Sequence, residues 1–279
     1  PLATFAMETY GDDPCVNFEV HLPEGDSTHT EKTRRLIAQM HKAISIIQFK
    51  LEARMIDKRP EWDMAARKLI CNIDPEKQSI TLDGIKYPLK DTNLPTIDPK
   101  DPSMLTPEEQ ELIDKLHHSF SVSDKLKKHI KCLLSYGCMY GIYNSNLLFH
   151  ASLPLNADGS LKEVDINGHK YSGRQLLHQI GMTMRAAFND DTPENERTFA
   201  RDYYWYLWCG PDSPLFDKSK MATFERYFIA DTSTHKEEKG YYYKLRDNED
   251  ICNSILDAFS VKGSHRHIIN GHDPVRISR

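Results

Sequence analysis

The sequence contains no apolar run that approaches the roughly 18 residues of a membrane-spanning helix. Its first residues, Pro1 to Phe5, have neither the basic start nor the long apolar stretch of a secretory signal. These two absences exclude a helical membrane protein and favour a cytoplasmic location. We therefore expect no membrane partner.

The sequence also lacks an excess of positive charge. Its 36 Lys and Arg residues are outnumbered by 41 Asp and Glu residues, which gives a formal net charge of −5 in a chain of 279 residues. Polyanions bind to basic surfaces, so this balance gives no reason to expect a nucleic-acid partner. The length suits one large globular domain or two modest ones.

Cysteines are few, and none forms a C-x-x-C pair. The six cysteines are scattered among apolar and aromatic neighbours. This spacing argues against a zinc ribbon and against a disulfide framework. It predicts reduced, mostly buried thiols, as in cytosolic proteins.

Several stretches predict particular elements of secondary structure. Thr28 and Glu31 have capping-box spacing before a helix that ends at Lys58. Thr106 is the expected N-cap of a second helix. Asp83-Gly84 predicts a type I′ hairpin turn. Further helices are expected over 62–69, 123–136, 172–187, 192–207 and 248–260, and strands over 147–150 and 266–270.

This distribution of elements predicts three regions. Residues 1–27 form a connecting segment, residues 28–136 form a mainly helical insertion, and residues 137–279 return to strand-bearing structure. Residues 88–107 contain five prolines and are expected to run along the surface as an extended connection.

Two histidines each follow a short apolar strand. His150 comes after Leu147–Phe149, and His272 comes after Ile268, Ile269 and the pair Asn270-Gly271. A strand fixes the backbone while the loop after it leaves the ring open, which is a common way to present a metal ligand. A single histidine of this kind is more often structural. We expected the glycine before His272 to permit a tight turn that faces the ring outward.

An aromatic stretch over 201–216 is followed by a basic one. Lys220, Arg226, His235 and Lys236 lie among aromatic residues and are candidate phosphate contacts, because cations bind phosphate oxygens. A solvated charged loop would have the same composition, so both interpretations stay open.

The segment Leu147 to Gly159 resembles the fourth metal-binding block of calcineurin-like metallophosphoesterases, and 270–275 looks like their later Gly-His-Thr-Pro block. The opening Pro1 to Ala6 and the segments 205–216 and 220–227 resemble the class 3 fructose-1,6-bisphosphatases of bacteria. The resemblance covers essentially the whole chain. It implies an α+β fold, in which part of a metallophosphoesterase-type β-sandwich carries the helical insertion.

The resemblance also implies a chemistry. His150 and His272 would each bind one metal of a two-metal centre, with manganese expected, and the substrate would be the sugar bisphosphate fructose 1,6-bisphosphate. Two such ions activate a water and stabilise charge on the phosphoryl oxygens. Manganese prefers carboxylates to imidazoles, so acidic ligands are required as well.

Those acidic ligands should come from the family blocks Asp-x-His, Gly-Asp-x-x-Asp-Arg-Gly and Gly-Asn-His-Asp/Glu, and none of the three occurs in the sequence. The chain also begins at Pro1 and ends at Arg279, soon after His272. We therefore expect an interior and C-terminal portion of a longer protein, with the remaining ligands in a missing N-terminal portion and with no activity by itself. Asp273 stands where the family has Thr.

Two other functions stay open. One is a different metallophosphoesterase, acting on dinucleoside polyphosphates or phosphoproteins. The other is a non-catalytic module in which 28–136 serves oligomerisation or regulation and the histidines are structural. A homo-oligomer is compatible with each of these functions.

Overall fold

The computed structural model describes residues 1–20 and 28–272. Its α-helices are α1 (Leu2–Tyr10), α2 (Glu31–Lys58), α3 (Pro107–Ser121), α4 (Asp124–Tyr136), α5 (Gly173–Ala186), α6 (Glu194–Cys209), α7 (Thr223–Phe228), α8 (Tyr241–Leu245) and α9 (Glu249–Ala258). Its strands are β1 (Ile73–Asp74), β2 (Ser79–Leu82), β3 (Ile85–Pro88), β4 (Tyr140–Tyr143), β5 (Asn146–Phe149), β6 (Val164–Ile166), β7 (His169–Tyr171) and β8 (His267–Asn270).

The chain forms two compact units. The first comprises residues 1–126 and 222–236, and the second comprises 127–221 and 237–279. Helices and strands occur in both units. The metallophosphoesterase-type sandwich stays a prediction.

The first unit is built around α2, a helix of 28 residues. The core beside it contains Phe18 and Phe49, and it also takes in Phe224 and Phe228 from α7. The Phe49 and Phe224 rings meet edge to face with their centroids 5.0 Å apart. This burial of aromatic area explains why residues 222–236 belong to the first unit. The sequence predicted them in the third region, 137–279.

The start of α2 differs from the prediction. Thr30, not Thr28, is the N-cap, and its hydroxyl accepts from the Thr33 backbone N–H at 3.2 Å. Glu31 is then the first residue of the helix, so it cannot close a capping box with Thr28. The prediction for α3 is confirmed, since Thr106 and Glu109 form a complete capping box.

The hairpin at Asp83-Gly84 is also confirmed. It joins β2 to β3, and both turn residues have the positive φ angles, 48° and 80°, of a type I′ turn. The helix expected over 62–69 is wrong. Three short 3-10 turns occupy 60–62, 65–67 and 69–72, and Asp63 between the first two has a left-handed φ of 52°.

The second unit contains a three-stranded sheet in the order β4-β5-β8. β4 and β5 are antiparallel, while β5 and β8 are parallel, with Leu147 opposite Ile268 and Phe149 opposite Asn270. Parallel neighbours end at the same edge of a sheet, so the residues after Phe149 and Asn270 leave the sheet side by side. A separate hairpin pairs β6 with β7.

The thiols are only partly as predicted. None of the six cysteines forms a disulfide, but they are not mostly buried: two are buried, two are partly exposed, and Cys132 and Cys138 are exposed. Cys132 lies on α4, a helix with no buried residue. None of the helices in the described part of the chain has the length and apolar character needed to cross a membrane.

Candidate metal and substrate site

The structure brings His150 and His272 together. The His150 Nε2 atom lies 3.1 Å from the His272 Nδ1 atom, although 122 residues separate the two along the chain. Their rings meet edge to face with centroids 5.0 Å apart, and both side chains are exposed. The two imidazoles therefore present nitrogens to one point at the edge of the β4-β5-β8 sheet.

Backbone and side-chain hydrogen bonds fix the segments that carry the two rings. The Gly271 N–H donates to the His150 carbonyl at 2.8 Å, which extends the parallel pairing beyond the sheet. The Asn270 amide donates to the Ala151 carbonyl at 2.8 Å and accepts from the Tyr242 hydroxyl at 2.9 Å. Burial raises the pKa of Tyr242, so this hydroxyl stays a donor.

The prediction that Gly271 is needed for a tight turn before His272 is wrong. Gly271 has no positive φ, and a Cβ at that position would lie 3.7 Å from the His150 carbonyl oxygen, an ordinary contact. The left-handed residue is His272 itself, with a φ of 67°. A non-glycine residue adopts this conformation at an energetic cost, and such residues cluster at functional sites.

The two histidines do not belong to a larger cluster of metal-ligating side chains in the described part of the chain. Over 1–20 and 28–272, no group of three or more His, Cys, Asp or Glu side chains is placed to hold a metal ion. Asp273, next to His272, lies outside the described residues, so no structural role is assigned to it.

The four predicted phosphate contacts fall into different units. Lys220 belongs to the second unit, whereas Arg226, His235 and Lys236 belong to the first. The His235 ring is partly buried, and its Nε2 lies 3.0 Å from the Ile229 carbonyl, to which it donates. Arg226 and Lys236 are exposed. Their contact with phosphate stays a prediction.

A buried carboxyl group that the sequence gave no reason to select lies in the second unit. Asp217 is 5% exposed, has a left-handed φ of 46°, and leaves its Oδ2 atom without a hydrogen-bond partner. Burial raises its pKa from 3.8 to about 6, while the Ser152 hydroxyl, two residues after His150, lowers it. In the sequence, the nearest indication of a functional segment is the loop at Asp212, which ends the aromatic stretch 201–216.

Three curated relatives of this chain share one name. The chain is 61% identical over 276 residues to the fructose-1,6-bisphosphatase class 3 of Bacteroides fragilis, 58% identical over 276 residues to that of Bacteroides thetaiotaomicron, and 51% identical over 276 residues to that of Clostridium botulinum.

Each of these alignments covers 99% of this chain and 42% of the relative. The chain thus spans about two fifths of the length of the curated relatives it matches. The matches run along nearly the whole chain and do not support the predictions of a missing N-terminal portion and of a chain inactive by itself. Neither prediction is carried further.

No solved structure matches the chain. A family model described as Firmicute fructose-1,6-bisphosphatase matches residues 1–279. That match covers every motif on which the resemblance was based, including both histidine segments. The chain therefore belongs to the Firmicute fructose-1,6-bisphosphatase family.

Proposed function

We propose that the protein hydrolyses fructose 1,6-bisphosphate to fructose 6-phosphate and phosphate, with His150 and His272 as ligands of the metal that the reaction needs. The observation that carries the proposal is the 3.1 Å separation of the two ring nitrogens at one sheet edge. The relatives' name supplies the substrate. A structural histidine pair would be expected inside a core, but both of these rings are exposed.

The donor set fits a divalent metal ion. Two nitrogens bonded at right angles to one ion, each at about 2.1 Å, would lie about 3 Å apart. The observed separation of 3.1 Å, which is also that of a hydrogen bond between the two rings, is compatible with one shared ion. Manganese is proposed as this ion, with carboxylate ligands in addition to the imidazoles.

A bound metal centre of this kind supplies charge for the phosphoryl oxygens and acidifies a water. The chain's own residues hold the ligands in place. Asn270 ties the loop after β5 to the loop after β8, and the left-handed backbone at His272 turns that ring toward His150.

Further parts of the proposal concern location and fold. A cytoplasmic location suits a substrate with two ionised phosphate groups, because such an anion does not cross a bilayer unaided. The metallophosphoesterase-type sandwich is also part of the proposal, supported by the histidine motifs at 150 and 272.

Metal binding provides the first test. We expect the chain to bind Mn²⁺, measured by the loss of the free-ion electron paramagnetic resonance signal, and expect His272→Asn to weaken binding at least about 100-fold. Asparagine tolerates the left-handed backbone, so this change removes the ligand with little strain. His169→Ala is the matched control, since His169 is an exposed histidine of the same unit.

Hydrolysis provides the second test. The protein should release phosphate from fructose 1,6-bisphosphate in the presence of Mn²⁺, leave fructose 6-phosphate as the product, and lose at least about 100-fold in kcat/KM with His150→Ala. Unchanged Mn²⁺ affinity or unchanged hydrolysis in both histidine variants would contradict the proposal.

A further inference from the structure

A cavity of about 380 Å³ in the second unit lies between three segments, 154–162, 211–219 and 238–244. Its lining includes four lysines: Lys162, Lys218, Lys239 and Lys244. It also contains the buried Asp217. None of these five residues is among the phosphate contacts predicted from the sequence.

One wall of the cavity is held by backbone hydrogen bonds. The Gly240 N–H donates to the Asp217 carbonyl at 2.9 Å, the Ser219 N–H donates to the Glu238 carbonyl at 2.8 Å, and Lys218 pairs with Lys239 in an antiparallel bridge. Two loops that would otherwise be independent are therefore joined, and the cavity has a fixed shape before any ligand binds.

Asp217 provides the specific indication of a ligand. Its Oδ2 atom is buried without a hydrogen-bond partner of good geometry, although the Ser152 hydroxyl lies near enough to lower its pKa, and its backbone is left-handed. A buried acceptor without a well-placed donor is destabilising, and the left-handed backbone adds to that cost. A Cβ at Gly240 would lie only 1.9 Å from Asp217 Oδ1, so glycine is needed there to leave room for the carboxyl group.

The lysines are not equivalent. Lys162 pairs with Asp212 at 2.6 Å, and Lys218 pairs with Glu237 at 3.0 Å, so carboxylates already balance their charge. Lys244 lies with its ammonium 5.0 Å from the centre of the Tyr241 ring and has no carboxylate partner in the described part of the chain. It is exposed, and it is the cation most available to an incoming anion.

We propose that this cavity binds the phosphorylated end of a sugar, with Lys244 binding the phosphate and Asp217 accepting a hydrogen bond from a sugar hydroxyl. A hydroxyl donor satisfies the buried Oδ2 atom, and an ammonium group pairs with phosphate as a point charge. A sugar phosphate carries both groups, whereas inorganic phosphate carries no sugar hydroxyl and a free sugar carries no anion.

The position of the cavity suits the phosphate that the reaction leaves in place. Pro154, which lines the cavity, is four residues after His150, so the two are at most about 14 Å apart along the chain. The cavity therefore lies in the same part of the second unit as the histidine pair, where the second phosphate of a bisphosphate substrate would be expected. The assignment of this particular phosphate rests on the proposed function, whereas the binding of a sugar phosphate can be measured independently.

The test is isothermal titration of fructose 6-phosphate, inorganic phosphate and fructose into the protein in EDTA, which removes divalent metal. Fructose 6-phosphate should bind at least about tenfold more tightly than either fragment, since it uses both polar groups. Lys244→Ala should weaken fructose 6-phosphate about tenfold or more and leave fructose unchanged. Lys128→Ala, which removes an exposed lysine of α4, is the matched control and should have no effect.

Asp217→Asn provides a second, nearly isosteric variant. It replaces one of the two acceptor oxygens by an amide donor, so it should weaken fructose 6-phosphate and fructose by similar factors and should not weaken inorganic phosphate. Equal affinity for fructose 6-phosphate in wild type and Lys244→Ala, or in wild type and Asp217→Asn, would overturn the inference.

Failure of this inference and failure of the proposed function are distinguishable. Fructose 6-phosphate binding that depends on Lys244, without any Mn²⁺ binding at the histidines, would sustain the cavity and end the phosphatase proposal. Hydrolysis with a KM that Lys244→Ala does not change would sustain the phosphatase proposal and end the assignment of the cavity.

Discussion

Lys50 and Glu109 form an ion pair that is buried at both ends. The Lys50 ammonium lies 2.6 Å from Glu109 Oε2, and the two side chains are 0% and 1% exposed. The same ammonium donates to the Thr96 carbonyl at 2.6 Å, and the same carboxylate accepts from the Thr106 N–H at 2.9 Å. The pair therefore ties α2 to both the proline-rich connection and the first turn of α3.

Glu109→Gln should destabilise the first unit by about 3–5 kcal/mol, because the amide leaves a buried ammonium without its counter-charge. Urea unfolding at pH 7 measures this loss. The matched control is Glu111→Gln on the same helix, where the pair with Lys115 is exposed and worth at most about 1 kcal/mol. Equal effects of the two changes would contradict the structural role of the buried pair.

Asp217 predicts a pH dependence of stability. Its folded-state pKa of about 6 lies above the ordinary 3.8, so the folded protein holds this proton more tightly than the unfolded chain does. The contribution is fully present below about pH 4 and is lost as the pH rises through about 6. Asp212 raises this pKa further, and Lys162 lowers it.

Asp217→Asn should therefore unfold at higher urea concentrations than the wild type at pH 7.5, by up to about 3 kcal/mol, and this advantage should vanish near pH 4. The difference between variant and wild type is the quantity to follow, because other carboxyl groups titrate in both proteins. An advantage of the variant that is independent of pH would show that the carboxyl group is not destabilised in the folded state.

Gly168 occupies the second position of the β6–β7 turn with a φ of 82°. Gly168→Ala should cost about 1–2 kcal/mol in the free energy of unfolding, because an L-residue is strained in the left-handed region. Gly141→Ala in β4 is the control, since that glycine has no positive φ and no atom within 4 Å of an added Cβ. Thermal unfolding of the two variants should separate them clearly.

Asn270 predicts a graded effect on metal affinity. Asn270→Ala removes the hydrogen bond to the Ala151 carbonyl and should weaken Mn²⁺ binding about tenfold, while Tyr242→Phe removes only the hydroxyl that donates to Asn270 and should have a smaller effect. Asn195→Ala, at an exposed site of α6, is the control. Affinity that falls more in Tyr242→Phe than in Asn270→Ala would contradict this order of importance.

Local signals in the sequence predicted several elements well. The Asp83-Gly84 hairpin, the capping box at Thr106 and the end of α2 at Lys58 depend on a few neighbouring residues, so their chemistry is visible in the sequence. The β6–β7 hairpin was missed, although Asn167-Gly168 has the same turn chemistry, with φ angles of 55° and 82°. Its strands are only three residues long, too short for a clear alternation.

Less of the candidate site was visible. The histidine motifs identified His150 and His272. The basic stretch suggested phosphate contacts at Lys220, Arg226, His235 and Lys236, did not single out Lys244 within the same stretch, and gave no indication of Asp217. Cations among aromatic residues are common on surfaces, so composition alone did not distinguish a lysine that lines a cavity from one on a solvated loop. The packing of three loops made the difference, because it forms the cavity beside Lys244 and buries Asp217.

The sequence by itself determined the family, the strands that precede the two histidines, and the turns whose backbone angles only a few residue types tolerate. Only the tertiary structure decided that β8 pairs in parallel with β5, which joins residues 121 positions apart and brings the two imidazoles to 3.1 Å. It also decided that Asp217 is buried. The physical reason is the range over which each effect acts. Turn chemistry acts over a few bonds, whereas strand pairing and burial depend on contacts between distant segments. No local motif determines the entropy that is lost when such segments come together.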